Sequence, residues 1–189
     1  MKFAIVSDIH GNIKALEAFI KYIDDKSIEK ILNLGDILAG EYPKEVFEKV
    51  FSDKRFINIR GNHENKLSAY LYEQYGGEII RELNKLELKK IIDINGKSFL
   101  MVHSRETSNT DIPLLYNGES LERFLKDYDD SVDYVLIGHT HLPLMVTSYG
   151  EKTIINPGSL GLTIDGYAYF CIGEFTNEEI SFNFKKIKV

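Results

Sequence analysis

The chain has 189 residues, a formal net charge of −6 and one cysteine, Cys171. A lone cysteine allows no internal disulfide, so a reducing compartment fits better than secretion, and the acidic balance argues against a broad basic surface for nucleic acid. At this length one domain over 1–189 is the economical reading, large enough to bury roughly 70% of the surface its unfolded chain would expose.

The N-terminus, "MKFAIVSDIHGN", has one lysine and an apolar run too short for a signal peptide, and no later stretch has the apolar length of a spanning helix. A cytoplasmic protein with no membrane partner is expected. Residues 3 to 7 are apolar and β-favouring; Asn12 then caps a helix whose apolar positions are Ile13, Leu16, Ala18, Ile20 and Ile23. "KILNLGD" reads as a second strand, Pro43 opens a helix to about Phe51, and "RFINIRG" is a third strand. Residues 64 to 88 have a helical pattern broken at Gly76 and Gly77, in which Tyr70, Tyr72 and Tyr75 fit amphipathic packing better than stacking on a ligand. Asn95-Gly96 between two apolar runs predicts a hairpin. Residues 104 to 118 show no period and read as a long loop, followed by a helix near 119 to 128 and the strand "VDYVLIG". From Pro143 onward the pattern alternates and turns like antiparallel strands, with Cys171 as a small buried residue in one of them and Gly158-Ser159 as a tight turn. Strands alternating with helices in the first part imply parallel pairing, so the class is α/β with parallel and antiparallel pairs.

All five histidines, His10, His63, His103, His139 and His141, fall at or just past the C-terminal end of a predicted strand. Asp8, Asp36 and Asn62 occupy the same kind of position, which in parallel α/β sheets is where ligands bind. On extended backbone, residues i and i+2 face one side about 6.6 Å apart, so Asp8 with His10 and His139 with His141 are expected as pairs. Seven candidate ligands (Asp8, His10, Asp36, Asn62, His103, His139 and His141) exceed the needs of one tetrahedral ion. They suit two cations at about 3.5 to 4 Å. Oxygen and imidazole donors without thiolate favour divalent manganese, iron, zinc or nickel over copper(I).

"SDIHGN", "LGD", "IRGNHE", the histidine of "MVHS" and "GHTH" stand in an order that resembles the calcineurin-like metallophosphoesterase superfamily along most of the chain, and "INPGS" adds likeness to its compact bacterial branch. The resemblance implies two mixed β-sheets packed as a sandwich flanked by helices. It also implies that Asp8, His10 and His141 hold one metal, that Asn62, His103 and His139 hold the other, and that Asp36 joins them. The implied activity is hydrolysis of a small phosphoester or nucleotide, diester or monoester, by a hydroxide activated at the two cations. His63, from the GNHE block, is the candidate general acid; the competing role is a hydrogen bonder that orients the metal site. Arg60 and Arg105 are candidate substrate-binding residues, with Ser104 as a pocket-narrowing neighbour. Arg60 stands as in the "RGNHE" of protein serine/threonine phosphatases, but "GDILAG" lacks the Asp and Arg of that branch's GDxxDRG block. A scaffold with the same fold and no turnover is the alternative from another class, and it is disfavoured because all seven ligands are present. An eight-stranded amidohydrolase barrel would take about 250 residues, more than the chain has.

Overall fold

A computed structural model describes the chain except at residues 66–72, 74, 113–119, 148–151, 163–164 and 178. Strand β1 (Lys2–Val6) is buried along Phe3 to Val6, and its side chains alternate between two environments because successive residues leave a strand on opposite faces. Phe3 and Ile5 join Phe99, Met101, Leu136 and Ile155 in one core. Ala4 and Val6 join Leu16, Phe19 and Val46 in another.

These two environments define the layers. The first sheet has the order β10-β9-β1-β2-β3, with β2 at Ile31–Asn33, β3 at Phe56–Asn58, β9 at Tyr167–Thr176 and β10 at Glu179–Lys188. β1, β2 and β3 are parallel, whereas β9 is antiparallel to both β1 and β10. The second sheet runs β4 (Lys89–Ile94), β5 (Lys97–Val102), β6 (Tyr134–Leu136), β8 (Thr153–Asn156), β7 (Leu144–Thr147). Its central strands β5, β6 and β8 are parallel and its edges antiparallel. The sheets pack face to face, with the Phe3 and Phe99 rings 5.4 Å apart edge to face. Helices α1 (Ile13–Asp25), α2 (Pro43–Ser52) and α4 (Gly77–Asn84) cover the outer face of the first sheet. Helix α5 (Leu121–Lys126) covers the second through Phe124, packed with Leu100, Val102, Val135 and Ile154. The one-turn helix α3 (Asn62–Asn65) follows β3.

Local signals translate directly. Asn12 Oδ1 accepts the Ala15 N–H at 3.0 Å and so caps α1. Pro43 is the first residue of α2. Asn95 and Gly96 have φ of 56° and 76° and pair Ile94 with Lys97, the two-residue turn that matches strand twist. The helical pattern over 64–88 corresponds to α3 and α4, and Tyr75 is buried in the outer core; Tyr70, Tyr72 and most of the segment between lie outside the described residues. The tail differs from an all-antiparallel reading, because β8 also pairs in parallel with β6. Alternation in a strand reports its burial and says nothing about the direction of its neighbour. Among the described residues no helix is long and apolar enough to cross a membrane.

Candidate metal centre

Loops leaving β1, β2, β3, β5 and β6 meet at one edge of the sandwich. Asp8 N–H donates to Gly35 O (3.0 Å) and His10 N–H to Asp36 O (3.0 Å), which zips the first two loops together. Between the sheets, the His139 N–H donates to Asp8 Oδ2 at 3.0 Å, and His103 Nδ1 lies 2.7 Å from Leu34 O. A carbonyl only accepts, so Nδ1 carries the proton and His103 Nε2 is turned inward.

Asp8, His10, Asp36, His139 and His141 all have φ between 47° and 66°. Left-handed backbone is uncommon for residues with a β-carbon and gathers at functional sites. The extended geometry expected for Asp8/His10 and His139/His141 is therefore not what the chain adopts. Left-handed turns aim each side chain separately, and the two pairs behave differently. Asp8 and His10 stay together, with Oδ1 and Nε2 3.6 Å apart. His139 and His141 diverge: His141 Nε2 lies 3.2 Å from Asp8 Oδ1 and 3.2 Å from His10 Nε2, while the His139 ring lies 5.2 Å from that of His103.

Two groups result. Asp8, His10 and His141 bring ligand atoms within 4.8 Å of one another, as do Asp36, His103 and His139. Asn62 Oδ1 lies 2.9 Å from His103 Nε2 and so adjoins the second group. Asp36 stands between them, its Oδ2 being 3.3 Å from His103 Nε2 and 3.9 Å from His10 Nε2. His10, Asp36 and His63 form a third triplet.

The donor set fits cations. Asp8 Oδ1 is buried with no aligned hydrogen-bond donor although two imidazole nitrogens face it, an arrangement costly for lone pairs alone. Burial works against charge on Asp8, yet the imidazoles of His10 and His141, with His103 behind them, hold its pKa well below the carboxylate range. Burial disfavours charge on His103 too, but Asp36, Asp8 and the Leu34 carbonyl take it up to about 9. Burial likewise opposes charge on Asp36, and His103 holds its pKa down. Buried carboxylates kept ionised among imidazoles are what divalent ions bind.

Comparison with known proteins agrees with this fold. The family model for the calcineurin-like phosphoesterase superfamily domain matches residues 1–178. The chain belongs to that superfamily. An uncharacterised protein of Methanocaldococcus jannaschii is 31% identical over an alignment of 206 positions, gaps included, that covers 89% of this chain and 81% of the relative. A second protein of that organism, named a phosphodiesterase, is 26% identical, covering 84% of this chain and 83% of its own length. The crystal structure of a metallophosphoesterase from Sphaerobacter thermophilus superposes with a TM-score of 0.75 at 24% identity, covering 98% of this chain and 88% of that one. At that identity its likeness speaks for the fold, and the two mixed sheets with outer helices are the shared architecture.

Around the centre of this calcineurin-like phosphoesterase lie groups that the sequence reading passed over. Glu64 is buried, and its carboxylate accepts the backbone N–H groups of Asp36 (2.9 Å), Ile37 (2.8 Å), Leu38 (3.1 Å) and Gly61 (2.8 Å). It clamps the β2 loop, which carries Asp36, to the β3 loop, which carries Asn62. Burial and the neighbouring charge of Asp36 push the Glu64 pKa up, against the pull of the N–H donors. Asn156 does similar work for the histidine pair: Nδ2 donates to Gly138 O (2.7 Å) and Thr140 Oγ1 (3.0 Å), and Oδ1 accepts from Gly158 N–H (2.9 Å). The only sequence signals were the Glu of "GNHE" and the Asn of "INPGS". Gly61 is required by close approach, since a β-carbon there would lie 2.1 Å from Asp36 Oδ1.

His63 sits at the rim, its side chain 41% exposed and Nε2 3.8 Å from Asp36 Oδ2, while its backbone N–H donates to Asp36 Oδ1 at 2.9 Å. Among the described residues, Arg60 Nε is buried without a hydrogen-bond partner. The Arg105 guanidinium pairs with Asp127 and, at 3.8 Å, with Asp111, tying its loop to the end of α5. Ser104 is buried and donates to Asp111 O. Ser159 braces the centre from behind, its Oγ donating to Asp8 O at 2.9 Å.

Proposed function

We propose that the 189 residues form one domain that hydrolyses phosphodiesters or phosphomonoesters at a pair of divalent cations, manganese, iron, zinc or nickel. The observation that carries the reading is the sharing of Asp36 between two convergent ligand groups. Asp8, His10 and His141 would hold one cation, Asn62, His103 and His139 the other, and Asp36 would serve both. Such cations, when bound, neutralise phosphoryl oxygens and activate water for attack on phosphorus. The residues supply the rest. The His103 Nδ1–H bond to Leu34 O holds its Nε2 toward the centre, and the Glu64 clamp keeps Asp36 and Asn62 at fixed separation. His63 is close enough to Asp36 to be held at the rim and open enough to give a proton to a departing alkoxide. Arg60, two residues before Asn62 on the same loop, is the candidate to take a phosphoryl oxygen with its guanidinium fork. The relative named a phosphodiesterase supports the diester side of the reading.

The test joins metal analysis to turnover. Purified protein should take up close to two divalent ions per chain and cleave an aryl phosphate or bis-aryl phosphate only when they are present. Asp36→Asn should lower that rate by about a thousandfold or more while leaving the circular dichroism spectrum intact. Wild-type protein that binds the ions and cleaves no phosphoester in a broad panel would instead support a binding scaffold.

A further inference from the structure

A cavity of about 450 Å³ opens beside the metal centre, with His10 in its wall. Its other walls include Gly11, Lys14, Glu41, Tyr42 and Gly161. The volume lies in the range of small-molecule sites. None of the other candidate ligands, and not His63, lines it. The cavity therefore adjoins the centre through His10, and His63 is not part of its wall.

The chemistry of the wall is specific. Tyr42 offers a half-buried ring at the start of α2, and Glu41 sits beside its hydroxyl. Lys14, in the first turn of α1, brings an ammonium that forms none of the ion pairs found among the described residues. Gly11 and Gly161 let the loops of the wall pack closely, since an added β-carbon would lie 2.0 Å from Ala39 O and 1.7 Å from Ile9 O. The Tyr42 ring, the Lys14 ammonium and the Glu41 carboxylate suit a flat polar alcohol with several hydroxyl or amide groups. They do not suit an alkyl chain or a second phosphate, because Glu41 would face it.

We infer that this cavity holds the retained alcohol of a phosphodiester, of nucleoside size, stacked on Tyr42 and hydrogen-bonded by Lys14 and Glu41, while the departing alcohol leaves on the His63 side. The inference rests on the hydrolase reading above and adds to it the residues that set substrate preference.

The experiment compares two diesters with the same departing group, thymidine 5′-p-nitrophenyl phosphate and methyl p-nitrophenyl phosphate, in manganese-loaded protein. The kcat/KM ratio of thymidinyl to methyl substrate should be about ten or more in the wild type and fall toward one in Tyr42→Ala. Lys14→Gln, which alters an exposed side chain, should lower the ratio as well and serves if Tyr42→Ala does not fold. Calorimetric titration with thymidine 5′-monophosphate against methyl phosphate should show the same preference without turnover. A wild-type ratio near one with both diesters cleaved, or a preference that both variants leave intact, overturns the cavity assignment alone. Failure to cleave either diester overturns the hydrolase reading and this one with it.

Discussion

His63 and Glu64 are neighbours in "GNHE" with opposite fates. His63 projects to the rim and Glu64 is sealed inside. If His63 donates the proton to the leaving oxygen, His63→Ala should slow esters of poor leaving alcohols by about a hundredfold and aryl esters much less. Equal slowing across a leaving-group series would mean that it only orients the centre. Glu64→Gln exchanges one carboxylate oxygen for an NH₂ that faces buried N–H groups. It should cost about 1–3 kcal/mol in urea unfolding and also weaken divalent-ion binding, since Asp36 and Asn62 lose their common clamp. A loss of stability with unchanged ion affinity would confine Glu64 to folding.

At the scale of elements, Asp133 joins the start of β6 to the start of β5. Its carboxylate accepts from Ser98 N–H (2.9 Å), Ser98 Oγ (2.8 Å) and Lys97 Nζ (3.0 Å). The Ser98 N–H first, with Lys97 and the Ser98 hydroxyl, holds its pKa below the ordinary value against some desolvation. The ionised form is the one that folding favours, so its stabilisation is full above the ordinary carboxylate value of about 3.9 and fades as pH falls through the lowered folded value. The melting temperature of the wild type should therefore exceed that of Asp133→Asn at pH 7, with the gap closing below about pH 4. A gap that stays constant into acid would show that the carboxylate charge contributes nothing to this junction. Other junctions were readable beforehand. The Asn12 cap, Pro43 and the Asn95-Gly96 turn all act within a few residues of themselves, where backbone sterics decide. The i, i+2 geometry of the ligand pairs is not legible in the sequence, because the same separation fits a strand or a left-handed turn and only the hydrogen bonds of the meeting loops select the latter.

Across the whole molecule, the two sheets cohere through a single buried layer in which Phe3 touches Phe99, Phe175 and Phe182. Phe3→Ala should cost about 3–5 kcal/mol in chemical denaturation and, by loosening the layer, raise the concentration of divalent ion needed for half-saturation. A cost below about 1 kcal/mol would mean that the sandwich closes over the cavity. By itself the sequence determined the strand ends, the helix caps and the kind of atoms gathered for metal: carboxylates and imidazoles at strand termini need only local pattern to be seen. Which loops meet, that β8 lies parallel to β6, that Glu64 clamps two loops and that Arg105 turns to Asp127 were decided by tertiary structure alone. Those outcomes depend on contacts between residues tens of positions apart, and such contacts form only when the two apolar faces close on each other and carry the strand ends to one edge.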